Sequence, residues 1–193
     1  MTLSARKDAL RARISAARAR VTADRWRADN ALRTEFLLTL ADGLPVGVAS
    51  VYASREAEPG TRQLIDSLVA RGWTVLVPKL TPGVAWARFA GWESMTPGWG
   101  CIPSPSGPPL PAEALAEATL IVVPCLAVGP DGSRLGTGGG WYDRALPHRS
   151  PGAPVIAVAR DAEVLDDLAT LTLPHDVPVD GYVTERVSVH LPR

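Results

Sequence analysis

One stretch of this chain concentrates residue types suited to chemistry: Ile121-Val-Val-Pro-Cys-Leu-Ala-Val-Gly-Pro-Asp-Gly-Ser-Arg-Leu-Gly-Thr-Gly-Gly-Gly-Trp-Tyr-Asp-Arg144. Gly136, Gly138, Gly139 and Gly140 carry no Cβ, so their backbone N–H groups can approach a phosphate chain closely and adopt positive φ where a tight loop needs it. A helix opening near Gly140 adds its N-terminal dipole to the attraction for phosphate. Arg134 supplies a planar, permanent positive charge at the entrance to the loop. Four glycines alone also describe a flexible linker. The Arg134-Leu135 pair in front and Trp141-Tyr142-Asp143 behind are bulky, chemically distinct groups that a linker does not require. The loop is not a Walker A motif, because Gly-x-x-x-x-Gly-Lys-[Ser/Thr] is absent. Nor is it a dinucleotide fingerprint, because Gly136-Thr137-Gly138 lacks the ribose-binding acid on a second strand.

A phosphate chain needs cations, and two are placed together elsewhere. Lys7 and Arg11 stand four residues apart in a helical stretch and share one face, so both can reach the same anion. Residues 1–33 hold nine Lys or Arg against three acids. A wetted helix face accounts for most of those arginines, although amphipathic transit peptides share the bias. Over the whole chain twenty basic residues balance twenty acidic ones, which leaves no overall field to draw it onto nucleic acid or a membrane. Any anion must be held locally. No Ser/His/Asp or Cys/His arrangement supplies a covalent nucleophile.

These groups need elements to position them. From Ser4 to about Leu40 the sequence is rich in Ala, Arg and Leu and predicts two helices joined near Val21–Asp24. In the first, Leu10, Ile14 and Ala17 are expected to face the core, with Arg6, Arg13 and Arg20 on the surface. Val46–Tyr52 reads as a buried strand, Thr61–Arg71 as an amphipathic helix ended by Gly72, and Thr74–Val77 as a second strand stopped by Pro78, which makes a β-α-β unit. Residues 81–111 are crowded with Pro, Gly and Trp and predict loops, a binding wall or lid, with a short strand around Ala85–Gly91. Ala112–Glu117 reads as a short helix, Thr119–Val123 as a strand and Trp141–Leu146 as the opening of a helix. Further strands are expected at Val155–Ala159 and Gly181–Thr184. Apolar strands alternating with helices imply an α/β three-layer sandwich: a mostly parallel central sheet, helices on both faces and an N-terminal helical pair.

With 193 residues, 46% of them apolar and 21% charged, the chain is expected to form one globular domain over residues 1–193. Cys101 and Cys125 have neither paired nor metal-ligand spacing, which fits a reducing cytosol. No apolar run approaches the roughly 18–20 residues that span a bilayer. We therefore expect a cytoplasmic monomer with small-molecule ligands and no membrane or nucleic-acid partner.

Arg134-Leu-Gly-Thr-Gly-Gly-Gly-Trp-Tyr-Asp-Arg144, preceded by Val123-Pro-Cys-Leu-Ala-Val and Asp131-Gly, resembles the signature segment of the 5-formyltetrahydrofolate cyclo-ligases, also called methenyltetrahydrofolate synthetases. Other landmarks recur in order: Lys7-Asp-Ala-Leu-Arg11, Glu58-Pro-Gly-Thr61, His175-Asp176 and Val183-Thr-Glu185. The resemblance spans nearly the whole chain. It implies ATP as co-substrate, held by Lys7, Arg11, Arg134, Leu135, Gly136, Thr137, Gly138, Gly139, Gly140, Trp141 and Tyr142. It implies Mg2+ on Asp143 and Asp176, a site for which hard carboxylate oxygens are suited. By spacing alone Asp143 also suits a helix start, and His175-Asp176 before a proline also reads as turn chemistry. For the folate it implies Glu58 and the loop positions Thr137–Trp141, with an aromatic face from Trp141 or Trp99, either of which can equally be core. Lys7, Arg134 and Asp143 are the expected catalytic group.

Three departures bear on the folate side. Relatives usually carry Tyr-Tyr-Asp where this chain has Trp141-Tyr142-Asp143, and many have an aromatic or basic residue at Thr137. They tend to have Gly-Ile-x-Glu-Pro where it reads Cys101-Ile102-Pro103-Ser104-Pro105. The implied reaction is ATP-driven cyclisation of 5-formyltetrahydrofolate to 5,10-methenyltetrahydrofolate, in which the protein mainly positions groups and neutralises phosphate charge. A non-catalytic nucleotide or folate sensor and an ATP-dependent enzyme acting on another N-formyl or pterin-like compound are the alternatives.

Overall fold

The computed structural model describes residues 2–98 and 102–192. Trp99 and Cys101, named above, lie outside the described residues. The chain opens with two helices, α1 (Leu3–Arg18) and α2 (Ala23–Asp42), each started by a threonine: the Thr2 and Thr22 hydroxyls accept the N–H groups of Ala5 and Arg25 at 3.3 Å. Such caps satisfy donors that a helix start leaves unpaired. Then come β1 (Val48–Val51), α3 (Arg62–Ala70) and β2 (Thr74–Pro78). Gly72, at φ 84°, takes the left-handed turn that lets the Trp73 N–H return to Leu68 O at 3.0 Å and ends α3.

A short edge strand β3 (Trp86–Arg88) and a hairpin of β4 (Met95–Pro97) and β5 (Pro103–Pro105) follow. Next are β6 (Ala118–Pro124), a second hairpin of β7 (Ala127–Val128) and β8 (Arg134–Leu135), and a five-residue helix α4 (Trp141–Ala145). The chain closes with β9 (Val155–Val158), β10 (Gly181–Val183) and β11 (Ser188–His190). The main sheet has the order β11-β10-β9-β6-β1-β2-β3. Its five inner strands are parallel and its two edges antiparallel. The inner strands are continuous apolar runs, with Leu120 to Val123 wholly buried, as expected for strands covered on both sides.

From β1 the chain moves one way to β2 through α3, and from β6 it moves the other way to β9 through α4. Right-handed crossovers in opposite directions put those helices on opposite faces of the sheet. α2 packs on α3 and reaches β10, while α1 rests on a 3-10 turn at Leu168–Leu171. The mostly parallel α/β sheet and the N-terminal helical pair therefore match expectation.

The short helix expected at Ala112–Glu117 is present, as a 3-10 helix. Other local expectations are corrected. The helix at Trp141 passes after Ala145 into a 3-10 turn, Leu146–His148, because Pro147 cannot continue an α-helical ladder. Val46 lies outside β1 and is 62% exposed. In α1 it is Arg18, not Ala17, that is buried beside Ile14. Among the described helices none is long and apolar enough to cross a membrane.

Candidate active site

The sheet order reverses between β1 and β6, the place where open α/β sheets form a cleft beyond the carboxyl ends of their strands. A cavity of about 660 Å³ opens there. Tyr52, Arg55 and Glu58 reach it from the segment after β1, Pro78 and Leu80 from β2 and beyond, and Pro124 to Leu126 from the end of β6. α1, the glycine loop and the Leu173–Asp176 segment complete the wall.

α1 presents Lys7, Arg11, Ile14 and Arg18 on one face, at spacings of four, three and four. Ile14 docks in a small apolar cluster with Leu126, Ala127, Leu135, Leu168 and Leu171, which sets the helix against the β7–β8 hairpin. That docking carries the two cations to the loop. Arg11 Nε donates to Gly136 O at 3.0 Å, and Lys7 Nζ lies 2.7 Å from Asp176 Oδ2. Arg18 forms a two-pronged ion pair with Glu163, at 2.7 and 2.8 Å, and donates to Cys125 O at 2.7 Å, so its burial beside Ile14 is satisfied.

The hairpin fixes where the loop begins: Leu126 N–H donates to Leu135 O at 2.7 Å, and Val128 lies opposite Arg134. Arg134 is buried and its Nη2 donates to Asp143 Oδ1 at 2.7 Å, so the two ends of the loop are clamped. Between them Gly138 (φ 105°) and Gly140 (φ 60°) adopt left-handed backbone that side chains disfavour. A Cβ on Gly138 would also lie 3.4 Å from the Arg11 guanidinium carbon. α4 is shorter than expected for a strong dipole, which leaves the loop N–H groups and the surrounding cations as the main attraction for anions.

Three buried polar atoms of cavity-lining residues have no hydrogen-bond partner among the described residues: Arg134 Nε, Trp141 Nε1 and the Tyr142 hydroxyl. Buried polar atoms are nearly always paired, so this set is available to a ligand. Burial holds the Tyr142 hydroxyl protonated well beyond its ordinary range. Trp141 meets both Trp86 and Tyr142 edge-on at 4.8 Å, which makes it core on one side and cavity wall on the other. The Cys125 thiol is pushed up to about 12 by burial, against the opposing pull of Arg18, so it is no nucleophile at neutral pH.

The two aspartates singled out by sequence both line the cavity, and Asp143 Oδ1 also accepts the N–H of Val177 at 3.2 Å, the residue after Asp176. Partial burial opposes ionisation of Asp176, but the Lys7 ammonium and the Leu173 N–H outweigh it and hold the carboxyl below its usual range. Among the described residues no three His, Cys, Asp or Glu cluster as metal ligands. The pair fits a cation that takes one or two protein carboxylates and completes its shell with phosphates and water.

On the far wall Glu58 accepts from the Arg55 backbone N–H at 3.1 Å and its Nε at 2.9 Å, while the Tyr52 hydroxyl donates to Pro59 O at 2.6 Å. Ile102 and Pro103 line the cavity, and Ser104 sits in β5 opposite Thr96. Tyr52, Arg55, Arg18 and Leu126 were not among the sequence candidates. Arg18 was within reach, since it lies seven residues from Arg11 on the same helical face. The others follow from topology, which brings the carboxyl ends of β1 and β6 side by side.

The family model for the 5-formyltetrahydrofolate cyclo-ligase family matches residues 3–185. The chain is 38% identical over 142 residues to the 5-formyltetrahydrofolate cyclo-ligase of Mycolicibacterium smegmatis, an alignment covering 70% of this chain and 72% of that protein. Its fold resembles the Aquifex aeolicus 5,10-methenyltetrahydrofolate synthetase, with a TM-score of 0.74, 24% identity and coverage of 97% of this chain and 93% of the other. It also resembles the 5,10-methenyltetrahydrofolate synthetase of Mycoplasma pneumoniae, with a TM-score of 0.74, 18% identity and coverage of 93% and 98%. With the signature loop folded around Arg11 in the cleft where the sheet reverses, and with the family model running from α1 to Glu185, the chain belongs to the 5-formyltetrahydrofolate cyclo-ligase family.

Proposed function

We propose that the chain catalyses the ATP- and magnesium-dependent cyclisation of 5-formyltetrahydrofolate to 5,10-methenyltetrahydrofolate, releasing ADP and phosphate. Besides membership of the family, one observation supports it most: Arg11, Arg134 and the Gly136–Gly140 backbone converge on one cavity, beside two carboxylates.

In this reading Lys7, Arg11, Arg134 and the segment Leu135–Tyr142 hold ATP. Lys7 trades its contact with Asp176 for a phosphate oxygen. Asp143 and Asp176 are the carboxylates that would hold Mg2+, whose charge, when bound, offsets that of the phosphates. Glu58 and Thr137–Trp141 face the folate, with Trp141 braced from behind by Trp86. The formyl oxygen on N5 attacks the terminal phosphorus and the bond to ADP breaks. N10 then attacks the activated formyl carbon and loses its proton, and the carbon–oxygen bond to phosphate breaks to leave the methenyl bridge. Phosphorylation turns a poor leaving oxygen into a good one. Lys7, Arg11 and Arg134 stabilise the charge that develops on the transferring group, and the closed wall aligns N10 with the carbon. The chain acts as a single domain over residues 1–193, a cytoplasmic monomer whose partners are these small molecules.

The test is coupling. ADP release should depend strictly on 5-formyltetrahydrofolate and match it one for one; ADP release that proceeds equally without the folate contradicts the reading.

A further inference from the structure

Every residue proposed to hold a ligand sits on one of three wall segments or on the C-terminal strip at Asp176: α1 with Lys7 and Arg11, the loop after β1 with Glu58, and the chain from the end of β6 into the glycine loop. One guanidinium touches all three walls. Arg18, only 3% exposed, is the last residue of α1. Its Nη2 donates to Cys125 O at 2.7 Å, at the end of β6, and its Nη1 lies 3.5 Å from Ala57 O, one residue before Glu58. Its charge is matched by Glu163 through both Nε and Nη2. Glu163 is fixed in turn, accepting the Arg160 N–H at 2.9 Å.

Ala57 has φ 58°, the one described non-glycine residue in left-handed backbone. Such a residue persists where its surroundings over-determine it, and such positions cluster at functional sites. The surroundings here are named: Tyr52 holds Pro59 O, Asn30 holds the Gly60 N–H at 2.9 Å, and Arg18 meets Ala57 itself.

We propose that Arg18, held by Glu163, is a positioning residue that sets the Lys7–Arg11 face and the Glu58 loop at their working separation across the cavity. It touches no reacting atom. A buried ion pair is weak evidence of stabilisation in itself, because desolvation offsets its attraction. What this pair supplies is geometry: a planar fork whose donors reach a carboxylate and a carbonyl in fixed directions, which a lysine cannot reproduce. Because Lys7 and Arg11, proposed for the nucleotide, and Glu58, proposed for the folate, stand on opposite sides of the gap Arg18 spans, its loss should weaken both ligands together. Loss of a residue serving one ligand would weaken only that one.

The inference rests on the cyclo-ligase reading for its folate half and on the cavity alone for its nucleotide half. The experiment measures KM for ATP and for 5-formyltetrahydrofolate, the dissociation constant of ATP by titration calorimetry, and the melting temperature. The variants are Arg18→Lys, Glu163→Gln and, as a destabilised control outside the cavity, Ile156→Val in the core of β9. We expect Arg18→Lys and Glu163→Gln to raise both KM values and the ATP dissociation constant tenfold or more, with a smaller change in kcat, and Ile156→Val to move none of them by more than twofold. Binding within twofold of the wild type in a folded Arg18→Lys protein overturns the proposal, as does a rise in only one of the two KM values. Should Arg18→Lys fail to fold, Glu163→Gln, which leaves Arg18 in place, decides by the same thresholds. A wild-type protein without turnover sinks the cyclo-ligase reading, and the calorimetric arm then judges Arg18 by ATP binding alone.

Discussion

Lys7 and Asp176 stand 169 residues apart in sequence and meet at 2.7 Å at the cavity, so in the proposed reaction the carboxylate must release the cation before it binds a phosphate. The Asp176 carboxyl is held below its ordinary value, so the contact adds stability above the usual carboxylate pKa of about 4 and loses it as pH falls through the lower folded value. The rim is partly open and screens the pair, so the contribution is about 1 kcal/mol. Asp176→Asn should melt a few degrees below the wild type at pH 7, with the gap closing at acid pH. A gap that is constant with pH contradicts the assignment.

Asp143 meets Arg134 and the Val177 N–H through a single oxygen, Oδ1, and so ties the loop to the C-terminal strip. Asp143→Asn keeps the size and one acceptor but removes the charge. Turnover should fall on the order of a hundredfold, the scale for losing one charge-positioning group, while the melting temperature moves by only a few degrees. A variant with wild-type turnover removes Asp143 from the proposed metal site.

Gly138 and Gly139 are neighbours in the loop with different constraints. Gly138 is at φ 105° against the Arg11 guanidinium, whereas a Cβ on Gly139 meets nothing within 4 Å. Gly138→Ala should weaken ATP binding at least about tenfold, since an L side chain at φ 105° strains the loop. Gly139→Ala should weaken it less. Equal losses in a nucleotide titration would show that the loop's backbone conformation is not what binds.

Arg33 and Glu185 form a second buried pair at 2.6 Å, with Arg33 also donating to Ala159 O at 2.9 Å and to Asn30 Oδ1 at 3.0 Å. This gives the Val183-Thr184-Glu185 element a structural role that sequence alone did not assign. Burial opposes ionisation of Glu185, but backbone N–H groups and Arg33 outweigh it, so the carboxyl sits below its ordinary range. Its contribution is present above that range and lost as pH falls through the folded value. Glu185→Gln strands a buried cation and should cost about 3–5 kcal/mol, or on the order of 10 °C, in a thermal melt at pH 7.

Legibility in sequence followed the range of the interaction. The helix pair, the inner strands and the glycine loop are written in local periodicity and composition, and they stand where expected. The hairpins β4–β5 and β7–β8 and the edge strand β11 have two or three residues per strand, too short to show a period. Arg18 escaped because charge on a helix reads as a solvent face, and the partner that permits its burial, Glu163, is 145 residues away. Arg33 and Glu185 are separated by 152. The cavity was legible only in part: residues at strand ends, such as Tyr52 and Leu126, join it because β1 and β6 are neighbours, an adjacency no local pattern encodes.

The central claim is the cyclisation itself. Purified protein with Mg-ATP and 5-formyltetrahydrofolate should produce the methenyl compound, followed by its near-ultraviolet absorbance, with no product when ATP is withheld. A folded preparation that binds ATP but yields no methenyl absorbance would contradict the account.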